Sequence, residues 1–212
     1  MPAMTKAHST IDEWGRDAAF VRAIAPLAHL RWDVSVGGAE HLPRGGALLV
    51  VNTRRFALTP VYTALALSEE LDRPVRFVGR PDIVPFGPLL GRVGGLLAHP
   101  AEIGGALRAG ALVVLGAAAT GNPRHAGAVD AGLVAAAVAE RVSLHVGATL
   151  NSLVGRQARV EIAGALRAGR KRRGPLAEVE LAEQAQHRLQ ELLDELGGTR
   201  TVLPPFSWLG QG

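Results

Sequence analysis

Cysteine is absent from the 212 residues, so disulfide bonds and thiolate chemistry, nucleophilic or metal-binding, are closed to this chain. Aromatic residues make up only 4% against 48% hydrophobic residues in all, so any core must be built from aliphatic side chains. That hydrophobic share fits a folded protein and excludes a disordered one. Lysine is nearly missing too: apart from Lys6 and Lys171, every basic residue is arginine. Arginine stays charged and forks well onto phosphate, although the same bias, with abundant Ala and Gly, is what a GC-rich genome writes throughout a chain. Long hydrophobic runs are lacking. The longest uncharged apolar stretch, Ala109 to Ala119, falls short of the roughly 18–20 residues a spanning helix requires. Residues 1–17 carry Asp12, Glu13 and Asp17 and no apolar run of signal-peptide length. The expected location is cytoplasmic, with peripheral attachment at the inner face of the membrane as its variant.

What is present is an alternation of short apolar runs and helix-like stretches. The length suits one core and is short for two, and no repeat or linker divides it. A single domain over 1–212 is expected: a helical segment over 1–30, a core over 31–197 and a tail over 198–212. Trp14, Phe20, Ile24, Leu27 and Leu30 give an N-terminal amphipathic helix, capped by Ser9 or Thr10 and bent or split at Pro26. Strands are expected at Arg31–Val36, Ala47–Val51, Val75–Val78, Leu96–Ala98, Ala111–Leu115, Val142–Ala148 and Arg159–Ala163. Helices are expected from Pro60 to Leu71, Phe86 to Val93, Glu102 to Ala109, Val129 to Arg141 and Leu176 to Leu196. The last has a stripe of Leu181, Ala185, Leu189, Leu192, Leu193 and Leu196. Such alternation predicts an α/β fold: a central mixed, mostly parallel sheet flanked by helices.

Four landmarks in order carry a resemblance. Val36-Gly37-Gly38-Ala39-Glu40-His41-Leu42-Pro43 leads into the strand ending at Asn52. Val75-Arg76-Phe77-Val78-Gly79-Arg80 precedes Val84-Pro85-Phe86-Gly87-Pro88. Gly94-Gly95-Leu96-Leu97-Ala98 is followed by a helix and the long strand to Leu115. Arg141 leads into Val142-Ser143-Leu144-His145-Val146. Over roughly residues 30–195 this order resembles the glycerolipid acyltransferase family, which includes lysophosphatidate and glycerol-3-phosphate acyltransferases. The resemblance implies a glycerol-3-phosphate acyltransferase-like fold and a base-and-orienter motif, Asn-His-x-x-x-x-Asp, after the first buried strand. There the His takes the acceptor hydroxyl's proton and the Asp fixes its tautomer.

That motif is not present. The block reads Asn52-Thr53-Arg54-Arg55-Phe56-Ala57-Leu58-Thr59-Pro60. Aligned on Asn52, the His position is Thr53 and the Asp position Leu58; aligned on Pro60, they are Arg54 and Thr59. The family's phosphate-binding Arg falls at Pro100, after His99. Its Phe-Pro-Glu-Gly-Thr-Arg block falls on Leu115-Gly116-Ala117-Ala118-Ala119-Thr120, and its Val-Pro-x-x-Pro strand loses both prolines. Base, orienter and phosphate clamp are lost together, so no residue is assigned as catalytic.

The expected function is that of an acyltransferase-like protein of glycerolipid metabolism, catalytically degenerate, binding a lipid, an acyl group or a protein partner. The alternatives are an active acyltransferase with an unconventional site and a structural subunit of an acyltransferase heteromer. Candidate binding residues are Asn52, Thr53, Arg54, Arg55, Thr59, Arg80, Thr120 and Arg124, the arginines facing an anionic headgroup or coenzyme A phosphate or simply lying on the surface. His99, His125 or His145 could replace the base, with Asp82, Glu102 or Asp130 approaching in space. The basic run Arg167, Arg170, Lys171, Arg172 and Arg173 is a solvated loop or a contact for anionic membrane. It lacks the aromatics that nucleic-acid stacking needs. No cofactor and no metal are expected.

Overall fold

The computed structural model describes residues 11–54, 58–81, 86–122, 124–151, 157–166 and 174–198. Arg55, the 167–173 basic run and the tail from Thr201, with Asp82, lie outside the described residues.

Among the described residues seven strands form one sheet in the order β1-β7-β6-β2-β5-β3-β4. They are β1 (Asp33–Gly37), β2 (Ala47–Val51), β3 (Val75–Val78), β4 (Gly95–Leu96), β5 (Leu112–Gly116), β6 (Ser143–Asn151) and β7 (Gln157–Ile162). All neighbours run parallel except β6 and β7, so β1 and β7 oppose the other five. The expected mixed, mostly parallel sheet is therefore the observed one. β2 occupies the centre, between β6 and β5, and all five of its residues are buried. A strand covered on both faces reads as a continuous apolar run, which is why Ala-Leu-Leu-Val-Val belongs there.

Among the described residues six α-helices cover the two faces: α1 (Ala18–Arg31), α2 (Thr59–Glu70), α3 (Phe86–Val93), α4 (Pro100–Arg108), α5 (Ala131–Glu140) and α6 (Pro175–Gly198). The pleat of β2 separates two cores. Leu48 and Val50 join Ile103, Leu107, Val134, Leu181, Ala185 and Leu189 from α4, α5 and α6. Ala47, Leu49 and Val51 join Ala64, Leu67 and Val93 from α2 and α3, with Phe20 and Ile24 of α1 packed against them. Each fully buried Leu or Val contributes about 1.5–3 kcal/mol. The bend between β1 and the following turn needs glycine: Gly38 has φ +75°, and a Cβ there would meet the Ile162 carbonyl oxygen at 2.2 Å.

The N-terminal helix departs from expectation. Its cap is Asp17, not Ser9 or Thr10, with Oδ1 accepting from the Ala19 and Phe20 amides at 3.0 and 3.1 Å. Arg92 also bonds Asp17, at 2.7 Å, and that bond, with the Phe20 amide, holds the carboxyl below its ordinary range. Pro26 neither splits nor ends α1; it is exposed, so the missing N–H falls on the solvent side. Residues 11–17 instead form a strap along the β3 end of the sheet. Ile11 bridges Asp17, Trp14 packs beside Gly105, and Asp12 pairs with Arg76, a guanidinium on a mid-strand residue only 4% exposed. Burial lowers the pKa of Arg76 and Asp12 opposes the shift. No helix among the described residues is long and apolar enough to cross a membrane.

Candidate functional site

In a largely parallel α/β sheet, ligands bind outside the carboxyl ends of the strands. Here that edge is made by the residues after β2, β5 and β3 and by the first turn of α2.

β2 runs directly into Asn52, which is 3% exposed. Its side chain prolongs the β2–β6 ladder as a backbone amide would. Oδ1 accepts from the Thr149 amide at 2.6 Å and from Thr149 Oγ1 at 2.9 Å, and Nδ2 donates to the Thr149 carbonyl at 3.0 Å. Asn52 thus ties the end of β2 to β6 through both its amide oxygen and its amide nitrogen.

Thr53 follows over β5. Its Oγ1 is buried without a hydrogen-bond partner among the described residues. A Cβ on Gly116 would stand 2.6 Å from that oxygen and 3.0 Å from Pro60, so Thr53, Gly116 and Pro60 are in tight contact. The Thr53 carbonyl accepts from the Thr120 amide at 3.1 Å, and Arg54 pairs with Thr120 in a parallel bridge. Leu58 precedes α2 without a side-chain cap and is 50% exposed, while Thr59 is buried.

Of the predicted binding residues, the fold therefore brings Thr53, Arg54 and Thr120 together beside Asn52. Arg80 lies beyond β5, after β3. It pairs with Glu102 at 3.2 Å, and the same Glu102 oxygen accepts from the Leu97 amide. Arg80 Nε is buried without a hydrogen-bond partner among the described residues. Arg124 is exposed on the loop after β5, its carbonyl held by Gln190 of α6 at 2.9 Å. Thr120 Oγ1 bonds the Asn122 and His125 carbonyls at 2.8 and 3.2 Å, which stiffens that loop.

The histidines singled out by position have other engagements. His99 caps α4, accepting the Ala101 amide on Nδ1 at 3.2 Å. His145 is 1% exposed within β6, with ring nitrogens 3.3 Å from the Ala163 carbonyl and 3.0 Å from Ser143 Oγ; burial pushes its pKa down. His125 is exposed on the loop, and Asp130 is spent capping α5 through the Gly132 and Leu133 amides. A His–carboxylate pair does exist elsewhere: His29 of α1 and Glu69 of α2, 3.0 Å apart. No sequence spacing announces it, since the partners come from separate helices. Among the described residues no His, Cys, Asp or Glu group is arranged to hold a metal ion.

No family model and no curated protein matches the sequence. The structural comparison is different. The crystal structure of the 1-acyl-sn-glycerophosphate (LPA) acyltransferase PlsC from Thermotoga maritima is similar at a TM-score of 0.60 and 14% identity. The match covers 84% of this chain and 79% of that one. The fold is acyltransferase-like. On this acyltransferase-like scaffold, the strand-end edge carries hydroxyls, arginines and aliphatic side chains.

Proposed function

We propose that this protein uses an acyltransferase-like scaffold to bind a lipid or acyl ligand and carries out no acyl transfer. One observation supports it above the others. In the register set by Asn52, the base and orienter positions hold Thr53, its hydroxyl buried against Gly116, and Leu58, an exposed aliphatic side chain. Alcohol attack on a thioester needs a proton acceptor as the bond forms, and a placed base contributes about 10²- to 10⁴-fold. Neither side chain can accept that proton near neutral pH. What the edge retains suits binding: Arg54 and Arg124 carry charge for a phosphate, and Leu58 offers apolar contact to a chain. Acyl-coenzyme A and phospholipids are the ligand classes that present both. Exposed Leu27 and Leu30 on α1, with Arg22 and Arg31 on the same helix, suit peripheral attachment to an anionic bilayer.

Thiol release from acyl-coenzyme A, with lysophospholipid or glycerol phosphate as acceptor, tests the reading. The expected rate equals that of a boiled control, while acyl-coenzyme A or phospholipid binding is measurable and weakens in Arg54→Ala. Multiple turnover would overturn it, and loss of that turnover in His99→Ala or His125→Ala would name the substitute base.

A further inference from the structure

A second cavity lies away from the strand-end edge, between the end of α1, the start of β1 and the side of α2. Its volume is about 120 Å³, several times the roughly 10–15 Å³ that one water needs on this measure. Two of its walls are aromatic. Trp32 and Tyr62 stand 5.8 Å apart between ring centroids with their planes inclined by 36°. Two are acidic: Asp33, exposed at the start of β1, and Glu69, whose Oε1 meets His29 Nε2 at 3.0 Å. Leu65 adds apolar surface. The cavity also sits at the C-terminal end of α1, where the last carbonyls give a negative partial charge.

π faces, carboxylates and a helix C-terminus all attract positive charge, and the small volume admits a compact group. Trp32 already attracts one cation: the Arg31 guanidinium lies 5.4 Å from its ring centroid, although Arg31 is not part of the cavity wall. An anion would meet Asp33 and Glu69, and a neutral apolar group would leave Asp33 without a counter-charge, Glu69 already having His29, which also lines the cavity. We propose that this cavity binds an alkylated ammonium group, of the kind carried by choline or ethanolamine, through Trp32, Tyr62, Asp33 and Glu69. Aromatic walls recognise such cations by the ring quadrupole, with the carboxylates supplying long-range attraction. The proposal is independent of the strand-end reading, because it uses none of the residues proposed to bind a ligand there.

The test is an NMR titration of the full chain with choline, following the Trp32 indole N–H and the Leu65 amide. The probe's uncharged isostere, 3,3-dimethylbutan-1-ol, serves as control. Choline is expected to shift both signals to saturation, and the isostere to bind at least about tenfold more weakly. Trp32→Leu and Asp33→Asn, both at partly or fully exposed positions, should each weaken choline roughly tenfold without changing the thermal midpoint appreciably. Vesicles distinguish the source. Trp32 shifts with phosphatidylcholine but not phosphatidylglycerol vesicles identify a lipid headgroup, whereas shifts with free choline alone identify a small soluble cation. Equal binding of the isostere, or unshifted signals with both choline and vesicles, would overturn the proposal.

Discussion

The two helical layers do the same work on their inner faces and differ on their outer ones. Towards the sheet, α4, α5 and α6 present Ile103, Val134 and Leu189, and α2 and α3 present Leu67 and Val93. Outward, the α4–α6 layer is laced with charge: Arg108 with Glu140, and Arg188 with Glu191 and Glu195. The α1–α3 layer leaves large apolar side chains in the open, with Leu27, Leu30 and Phe86 each more than half exposed and Leu89 nearly so. Leu176 and Val179, at the start of α6, are the exception in the charged layer. Scattered exposed leucines need no explanation, but several on one layer mark a surface made for something other than water. The interior explains why the protein folds, and this asymmetry is what the proposed lipid attachment of the α1–α3 side rests on.

Four experiments would sharpen or break the contrast. Leu189→Ala in the charged layer empties a fully buried site and should cost about 2–5 kcal/mol by denaturant unfolding. A loss under 1 kcal/mol would mean that α6 is not packed as described. Asp12→Ala strands the buried Arg76 guanidinium and should cost about 2–3 kcal/mol. That lies at or below the usual range for a broken buried pair, because Asp12 is itself partly exposed. The double variant with Arg76→Met should recover much of it.

The third concerns the inner side of the α1–α3 layer, where His145 pairs in register with Leu49. Burial depresses its native pKa, so the unfolded chain binds the proton more readily. Stability is thus full above the ordinary value of 6.5 and declines as pH falls below it. The thermal midpoint should drop between pH 7.5 and pH 5.5, and His145→Gln should flatten that drop. An unchanged slope would remove His145 from the account. The smallest stability effect belongs to Leu27→Glu with Leu30→Glu, about 0.5 kcal/mol or less at exposed positions. The same pair should abolish flotation with anionic liposomes, and undiminished flotation would end the case for this face as the attachment surface.

Much of the framework was legible from residues alone. Ala47–Val51, Val75–Val78 and Phe86–Val93 fall where their patterns place them, because each apolar run ends at a glycine, a proline or a polar residue. The start of α1 was not legible. Ser9 and Thr10, good capping residues by type, lie outside the described residues, and α1 is capped by Asp17, which Arg92, far along the chain, also bonds. That Asn52 to Pro60 contains no His-x-x-x-x-Asp pattern could be read directly, whether aligned at Thr53 and Leu58 or at Arg54 and Thr59. The engagement of Asn52 could not, because it depends on β6 lying beside β2, and strand order leaves no local mark. The aromatic cavity escaped for the same reason, since Trp32 and Tyr62 meet only when α1 and β1 close over α2.

The pairing of β1 with β7 has a consequence for synthesis. β1 has one strand neighbour, and Asp33 aligns with Gln157, most of the chain later. At about 5–20 residues per second, roughly 6–25 s separate the first strand's appearance from that of its partner. The strap waits as well, since Asp12 must find Arg76 and Asp17 must find Arg92. The strap can close once Arg76 and Arg92 are made, whereas β1 stays without its strand neighbour until β7 appears, after β2 to β6. A nascent chain in that state carries an unpaired strand edge, the kind of surface a chaperone captures.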